Sequence, residues 1–162
     1  MRNNLPLVNV YKKKNIKSEV VTQLLYGDTF KKLEKRGSWI KIKNNLDNYK
    51  GYIKNRKFPS NQKNTHKVSV LRSDLYSKPK HKVKKYLSFG SKIKVLDKKN
   101  GFCKFDNFWI KKNDLKKINF KTKDPFYNIK KFINIKYKWG AKHFSGIDCS
   151  GLIQLFLNFN NK

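Results

Sequence analysis

The sequence contains few acidic residues, few cysteines and no long apolar runs. Ten Asp and Glu stand against 40 Lys and Arg, which gives the 162 residues a formal net charge of +30. Two cysteines are too few for the disulfide framework of a small secreted domain. No segment approaches the roughly 18 apolar residues of a membrane span, and no secretory signal segment is visible. We therefore expect reduced thiols, a cytoplasmic location and no membrane partner.

The lysine excess alone would suggest a nucleic-acid binder. However, the lysines are spread along the whole chain, as a general bias toward Lys, Asn and Ile would produce. A single-strand groove needs exposed aromatic side chains interleaved with lysines on one face, whereas Trp39, Phe102 and Trp109 fall at core or turn positions of a repeat. We predict no specific nucleic-acid partner. Apolar residues make up 38% of the chain, which is enough for a packed core.

Short alternating runs separated by Gly and Asn turns occupy the first 60 residues. Apolar and polar residues alternate over 5–11 and again over 39–43, and further strand-like runs cover 20–25 and 29–33. Closely spaced short strands with turn residues between them are typical of a small antiparallel barrel.

The same pattern occurs twice. A shift of 63 residues aligns Leu24 with Leu87, Gly27 with Gly90, Trp39 with Phe102, Ile40 with Cys103 and Ile42 with Phe105. An ungapped match of this kind predicts two tandem copies of one fold. It also predicts that Cys103 is an inward-facing core residue, because its counterpart is an isoleucine in an alternating strand.

A loop with glycines at 140, 146 and 151 leads into an apolar run that predicts a helix beginning near Cys149, with Asp148 as its N-cap. Unpaired N–H groups at a helix start favour a thiolate, so a cysteine there can act as a nucleophile. A buried structural cysteine at the start of a core helix is the alternative.

The residues around Cys149 resemble the active-site motif of the NlpC-type (p-sixty) cell-wall cysteine peptidases. The matching residues are Tyr137, Trp139, Gly140 and the run Asp148-Cys149-Ser150-Gly151-Leu152; Ala141 stands where a second glycine is usual. The resemblance implies that Cys149 is the nucleophile. It further implies that Asp148 and Ser150 contact the free amino end of a cell-wall peptide and that Tyr137 lines the pocket.

The repeated unit resembles bacterial SH3-like modules. In peptidases that combine such modules with the Asp-Cys-Ser-Gly motif, the first module helps to form the substrate pocket, which implies that Glu19 and Tyr49 hold the substrate amine. Without the resemblance, the sequence is equally consistent with Glu19 as a solvated surface carboxylate and with Tyr49 as an ordinary packing residue of the barrel.

The expected fold is mainly β with a C-terminal α segment (α+β). Two tandem SH3-like β-barrels, at 1–60 and 61–119, would precede the first helices of a papain-like NlpC-type catalytic domain at 120–162. Within that last segment, Phe126, Ile129, Phe132 and Ile133 fall on one face of an expected amphipathic helix. This amphipathic helix would pack against the helix that follows Cys149. We expect the apolar face of the helix that follows Cys149 to be partly exposed.

A cysteine peptidase needs a base, which in this family is a histidine that follows the nucleophile. The chain has only His66, His81 and His143, and of these only His143, a weak surrogate, lies near Cys149 in sequence. We therefore expect an incomplete, C-terminally truncated enzyme with little activity of its own.

By resemblance, the expected activity is cleavage of γ-D-glutamyl–diamino acid bonds in recycled murein peptides. The alternative is a non-catalytic SH3-like module that binds cell-wall peptides. Neither function implies a cofactor, and the cysteine and histidine spacings do not match a metal site.

Overall fold

The computed structural model describes all residues from 1 to 162, and its first half is an antiparallel sheet of five strands, numbered along the chain. These strands are β1 (Leu7–Tyr11), β2 (Val20–Leu25), β3 (Phe30–Arg36), β4 (Trp39–Asn44) and β5 (Lys50–Lys54). Their order in the sheet is β2-β1-β5-β4-β3. The strands predicted from alternation are confirmed, because their inward residues, such as Val10, Ile42 and Ile53, are completely buried.

A second five-stranded sheet follows. Its strands are β7 (Arg72–Lys78), β8 (His81–Ser88), β10 (Asp97–Lys99), β11 (Phe102–Phe105) and β12 (Phe108–Lys111). Its strand order is β10-β11-β12-β7-β8. Read from the other edge, as β8-β7-β12-β11-β10, this order matches that of the first sheet strand by strand. A separate three-stranded sheet joins β6 (His66–Val68), β9 (Lys92–Ile93) and β13 (Leu115–Lys117).

Residues aligned by the sequence repeat have the same environments. Ile40 pairs with Ile53 across β4 and β5, and Cys103 pairs with Ile110 across β11 and β12; all four are at most 2% exposed. The prediction that Cys103 is a core residue is therefore confirmed.

The mainly β composition with one C-terminal α-helix is also confirmed, but the two closed barrels are not. The edge strands of each five-stranded sheet are not hydrogen-bonded to each other, so neither sheet closes. The edge strands are β2 and β3 in the first sheet and β10 and β8 in the second. The division at residues 60 and 119 stays a prediction. No helix has the length and apolarity to cross a membrane.

We call residues 7–54 the first sheet unit and residues 66–117, which include the three-stranded sheet, the second sheet unit. The helix α1 (Cys149–Phe159) packs against both sheet units through an aromatic cluster. The Phe156 ring lies 5.2 Å from that of Phe89 and 5.3 Å from that of Phe132, measured between centroids, and Leu25 of the first sheet completes the contact. The expectation of a partly exposed apolar face was therefore wrong for Phe156, which is completely buried. Ile153, at 51%, is exposed.

The amphipathic helix expected over 126–133 is absent, and only a 3₁₀ turn at Ile129–Phe132 forms there. Asp124 accepts a hydrogen bond from the Phe126 backbone N–H at 2.8 Å, and the chain then continues in turns. Phe132 is buried on α1, whereas Ile129 and Ile133 are exposed. So short an isolated helix is marginal, and β-branched residues weaken it further.

Lys67 is buried beneath the C-terminus of α1 without an acidic partner. Its ammonium group donates to the carbonyl oxygens of Phe120 (2.7 Å) and Phe159 and lies 4.7 Å from the Phe159 ring centroid. A cation is favourable at a helix C-terminus, but burial and the nearby Lys92 and Lys121 lower the pKa of Lys67 to about 8.

This lowered pKa predicts stability that rises with pH. Above pH 8 the unfolded chain, with an ordinary lysine pKa of about 10.4, holds a proton that the folded chain has lost. The free energy of unfolding, measured in urea, should therefore increase between about pH 8 and pH 9.5. Lys67→Gln keeps a donor but cannot titrate, so its profile should be flatter, and identical slopes in the two proteins would contradict the prediction.

Candidate functional site

The start of α1 is built around the carboxylate of Asp148. One oxygen accepts from the Gly151 N–H at 2.6 Å and from the Ser150 hydroxyl at 3.0 Å, and the other accepts from the Gly140 N–H at 2.7 Å. The predicted N-cap and the predicted helix start at Cys149 are both confirmed. A carboxylate has about four acceptor positions, so three internal bonds leave room for one further donor.

The loop before α1 is pressed against β2. Gly140 has φ +69°, and a Cβ atom there would lie 2.1 Å from the carbonyl oxygen of Val20. A Cβ on Gly151 would lie 2.4 Å from the carbonyl oxygen of Ala141. Both positions require glycine for close backbone approach. Ala141, the departure from the family motif, is accommodated as a buried residue.

A buried ion pair fixes the same loop to the first sheet unit. Lys142 Nζ lies 3.0 Å from Asp47 Oδ2, and each side chain is 3% exposed. Asp47 also accepts from the Thr22 hydroxyl at 2.9 Å and from the Tyr49 N–H at 3.0 Å. The Lys142 backbone N–H donates to Gln23 Oε1 at 2.9 Å. The turn that carries Tyr49 is thereby held next to the loop that carries Asp148.

Tyr49, Asp148 and Ser150 line one small cavity between β2 and α1. The structure thus brings together three of the residues singled out from the sequence. The cavity has a volume of about 20 Å³, which is enough for one water molecule. Lys142 also borders it, but its charge is directed to Asp47. The cavity therefore suits a single ammonium group and not a whole peptide.

Glu19 lies beside the loop and not in the cavity. Its carboxylate accepts from Trp139 Nε1 at 3.0 Å and from Lys12 Nζ at 2.8 Å. The hydrogen bond from Lys12, then that from Trp139, lowers the pKa of Glu19. Sequence reasoning gave no role to Trp139, although its place in the motif was a signal. It is 64% exposed and links the first sheet unit to the loop.

Tyr137 and Cys149 do not line the cavity. Tyr137 is 65% exposed and pairs with Ile147 through a parallel bridge. Cys149 is exposed and unpaired at the first position of α1, which excludes the alternative of a buried structural cysteine. Its thiol is therefore accessible to solvent.

The contrast between the two thiols predicts selective alkylation. In the native protein, iodoacetamide should modify Cys149 at least tenfold faster than Cys103, because Cys103 is 1% exposed and burial raises its pKa. Mass spectrometry of tryptic peptides would measure both rates. In denaturant the rates should converge, and rapid native labelling of Cys103 would contradict its assignment to the core.

His143 is poorly placed to serve as the base. Its ring is buried, its Nδ1 pairs with the Ser145 hydroxyl at 2.8 Å, and it packs against Phe144 with centroids 4.0 Å apart. Burial, with a contribution from Lys138, lowers the pKa of His143 to about 4, so it is a weak base. It forms no hydrogen bond with Cys149. No group of three His, Cys, Asp or Glu side chains is arranged to hold a metal.

Comparisons with known proteins agree with this architecture. The bacterial SH3 domain family model matches residues 6–58. An NlpC/P60 family protein from Bacillus cereus ATCC 10987 superposes with a TM-score of 0.82 at 15% identity, over 98% of this chain and 72% of that one. That likeness shows a shared fold.

More distant structural matches are NlpC2 and NlpC1 from Trichomonas vaginalis. Their TM-scores are 0.35 and 0.34 at 19% and 20% identity, over 98% of this chain and 64% and 62% of theirs. A search of curated proteins gives no significant match.

Proposed function

We propose that this chain carries the nucleophile and the amine-binding pocket of a cysteine peptidase that acts on cell-wall peptides. The proposal rests on one arrangement: an exposed cysteine begins a helix whose N-cap carboxylate lines an ammonium-sized cavity. The shared fold with an NlpC/P60 family protein and the motif at 137–152 support the same assignment. We propose murein-derived peptides with a free N-terminal L-alanine as substrates, cleaved at the γ-D-glutamyl–diamino acid bond.

In this proposal the substrate amine enters the cavity and donates to Asp148, Ser150 and Tyr49. These groups offer a carboxylate, a hydroxyl and a phenol, which together can satisfy the three N–H donors of an ammonium group. Glu19 and Tyr137 lie outside the lining, so they would contact the peptide beyond its amine.

Cys149 would attack the carbonyl carbon of the scissile bond, forming a thioester and releasing the diamino acid amine; water would then hydrolyse the thioester. The first N–H groups of a helix have no partner within it, and that of Gly151 is already bonded to Asp148. Those of Cys149 and Ser150 are therefore the donors nearest to the developing oxyanion.

A second function, peptide binding without cleavage, is favoured by the state of the histidines. His143 is buried and weakly basic, while His66 and His81 belong to the second sheet unit. The thiol proton thus has no obvious acceptor among these residues, and protonation of the leaving amine is unassisted. We expect this chain to bind the peptide and to hydrolyse it slowly, if at all.

Calorimetry and mass spectrometry with one tripeptide, L-alanyl-γ-D-glutamyl-diaminopimelate, separate the two functions. Binding should weaken at least tenfold when the alanine amine is acetylated, because the ammonium loses charge and two of its donors. Tyr49→Phe should weaken binding by a smaller factor. Hydrolysis that disappears in Cys149→Ala would support the peptidase, and binding alone would support the module. Equal binding of the free and acetylated peptides, or no binding, would overturn both.

A further inference from the structure

A second cavity shares no lining residue with the one beside Asp148 and has a different character. It has a volume of about 640 Å³ and lies on the second sheet unit, between β13 and the β10–β11 edge. Four lysines and one histidine line it, with no carboxylate; they are Lys98, Lys112, Lys116, Lys117 and His66. This size is typical of a pocket for a small organic ligand.

The lysines of this groove form no ion pair with the protein; the structure has seven ion pairs, and none of them involves a groove lysine. The two acidic neighbours in sequence form no ion pair with these lysines: Asp114 accepts from the Ser73 hydroxyl at 2.6 Å, and Asp97 accepts from the Lys98 backbone N–H at 2.7 Å. Most of the 40 basic residues also lie outside ion pairs, so what distinguishes this cluster is that four of its lysines surround one concave cavity with no carboxylate in its lining.

The charges also converge on common points within the groove. Lys98 and Lys117 both act on His66, whose pKa is lowered first by burial and then by these two ammonium groups. Lys98 and Lys112 similarly act on the Cys103 thiol beneath them. Lys98 therefore lies close enough to both His66 and Cys103, which line the cavity, to influence their pKa values.

The floor of the groove is apolar. Leu115 is buried, Cys103 is 1% exposed and Phe120 is half-buried. Lys116 Nζ lies 5.3 Å from the Phe120 ring centroid. An apolar floor lowers the local dielectric constant. The attraction between each lysine ammonium group and a bound anion is therefore stronger than it would be on a flat, fully solvated surface.

From this arrangement we infer that the groove is a binding site for a small ligand carrying two or more phosphate groups. Several ammonium groups around one cavity match a compact multivalent anion, and lysine binds phosphate as a point charge without the planar geometry that arginine offers a carboxylate. The inferred site is separate from the peptide cavity and does not depend on the peptidase assignment.

Inorganic tripolyphosphate is a direct probe. Isothermal titration at 150 mM salt should give one site per chain, and Lys98→Gln/Lys117→Gln should weaken binding roughly tenfold. The matched control is Lys31→Gln/Lys35→Gln, which removes the same charge from exposed positions on β3 and should change affinity less than twofold. Both pairs are exposed, so neither should disturb folding.

His66 supplies an independent readout by NMR. Phosphate bound beside its ring should shift its Cε1–H resonance and raise its pKa back toward 6.5, while His81, in the distant β7–β8 hairpin, should be unaffected. Single substitutions assign the signals, because the chain has only three histidines.

Three results would overturn the inference. The first is that the protein does not bind tripolyphosphate at millimolar concentration. The second is that the groove and control variants lose the same amount of affinity, which would mean that the general positive charge of the protein causes the binding. The third is that citrate binds as tightly as tripolyphosphate, which would mean that the groove does not select phosphate groups over carboxylates.

Discussion

Replacing Phe156 by alanine is expected to remove about 3–5 kcal/mol of stability, because the ring is completely buried between the two sheet units and the last segment. Its ring meets those of Phe89, Phe126 and Phe132 at centroid distances between 5.2 and 6.0 Å. Truncation would leave a cavity lined by these residues, since rings held on three separate elements cannot collapse together. The melting temperature should fall by roughly 10 °C.

Ile153→Ala is the matched control for Phe156→Ala. Ile153 lies on the same helix, but 51% of it is exposed, so its truncation should cost less than about 1 kcal/mol. Urea unfolding followed by tryptophan fluorescence would measure both variants. If the two lost similar stability, α1 would not be packed on the sheet units as the structure shows.

The position of α1 therefore depends on residues that precede its first residue by 60 or more positions in the chain. Leu25 and Phe89 come from equivalent parts of the two sheet units and contact the same helix. Gly90 has φ +83°, and a Cβ on it would lie 2.7 Å from a Leu155 methyl group, whereas its counterpart Gly27 approaches the Lys92 carbonyl. The two copies of the repeat thus use the same turn for different contacts.

Alternation and turn residues were sufficient to predict the strands, because a half-buried strand must place apolar residues at every second position. The repeat likewise placed Cys103 in the core. Asp148 was identifiable as an N-cap, because a short polar acceptor directly preceded an apolar run. These features depend on neighbours in sequence or on a regular period.

Tertiary contacts explain what was missed. Nothing local marks Lys67 and Lys142 among 40 basic residues as the ones that become buried. The helix expected over 126–133 failed because Asp124 and the end of α1 hold the chain in turns: Asn160 Nδ2 donates to the Pro125 carbonyl at 3.1 Å.

Of the residues predicted to bind substrate, Tyr49, Asp148 and Ser150 line the small cavity, whereas Glu19 and Tyr137 do not. The size of the cavity depends on how closely β2 approaches α1, which no local pattern reveals.

Breaking the Lys142–Asp47 pair should have the other large effect. Lys142→Met leaves the Asp47 carboxylate buried at 3% exposure with no counter-charge, and such a loss typically costs about 3–5 kcal/mol. The hydrogen bonds from Thr22 and Tyr49 to that carboxylate compensate for only part of it. We therefore expect lower stability together with weaker peptide binding, because the Tyr49 turn is no longer tied to the loop before α1.

A double-mutant cycle distinguishes an uncompensated charge from lost packing. Asp47→Asn keeps one acceptor for Thr22 or Tyr49 but removes the charge, so combining it with Lys142→Met should recover at least 1 kcal/mol relative to Lys142→Met alone. Urea unfolding of the four proteins gives the coupling free energy. Additive losses would mean that the charges do not interact in the folded protein, and the attachment of the loop to β2 would then rest on the Gln23 hydrogen bond and on the close approach at Gly140.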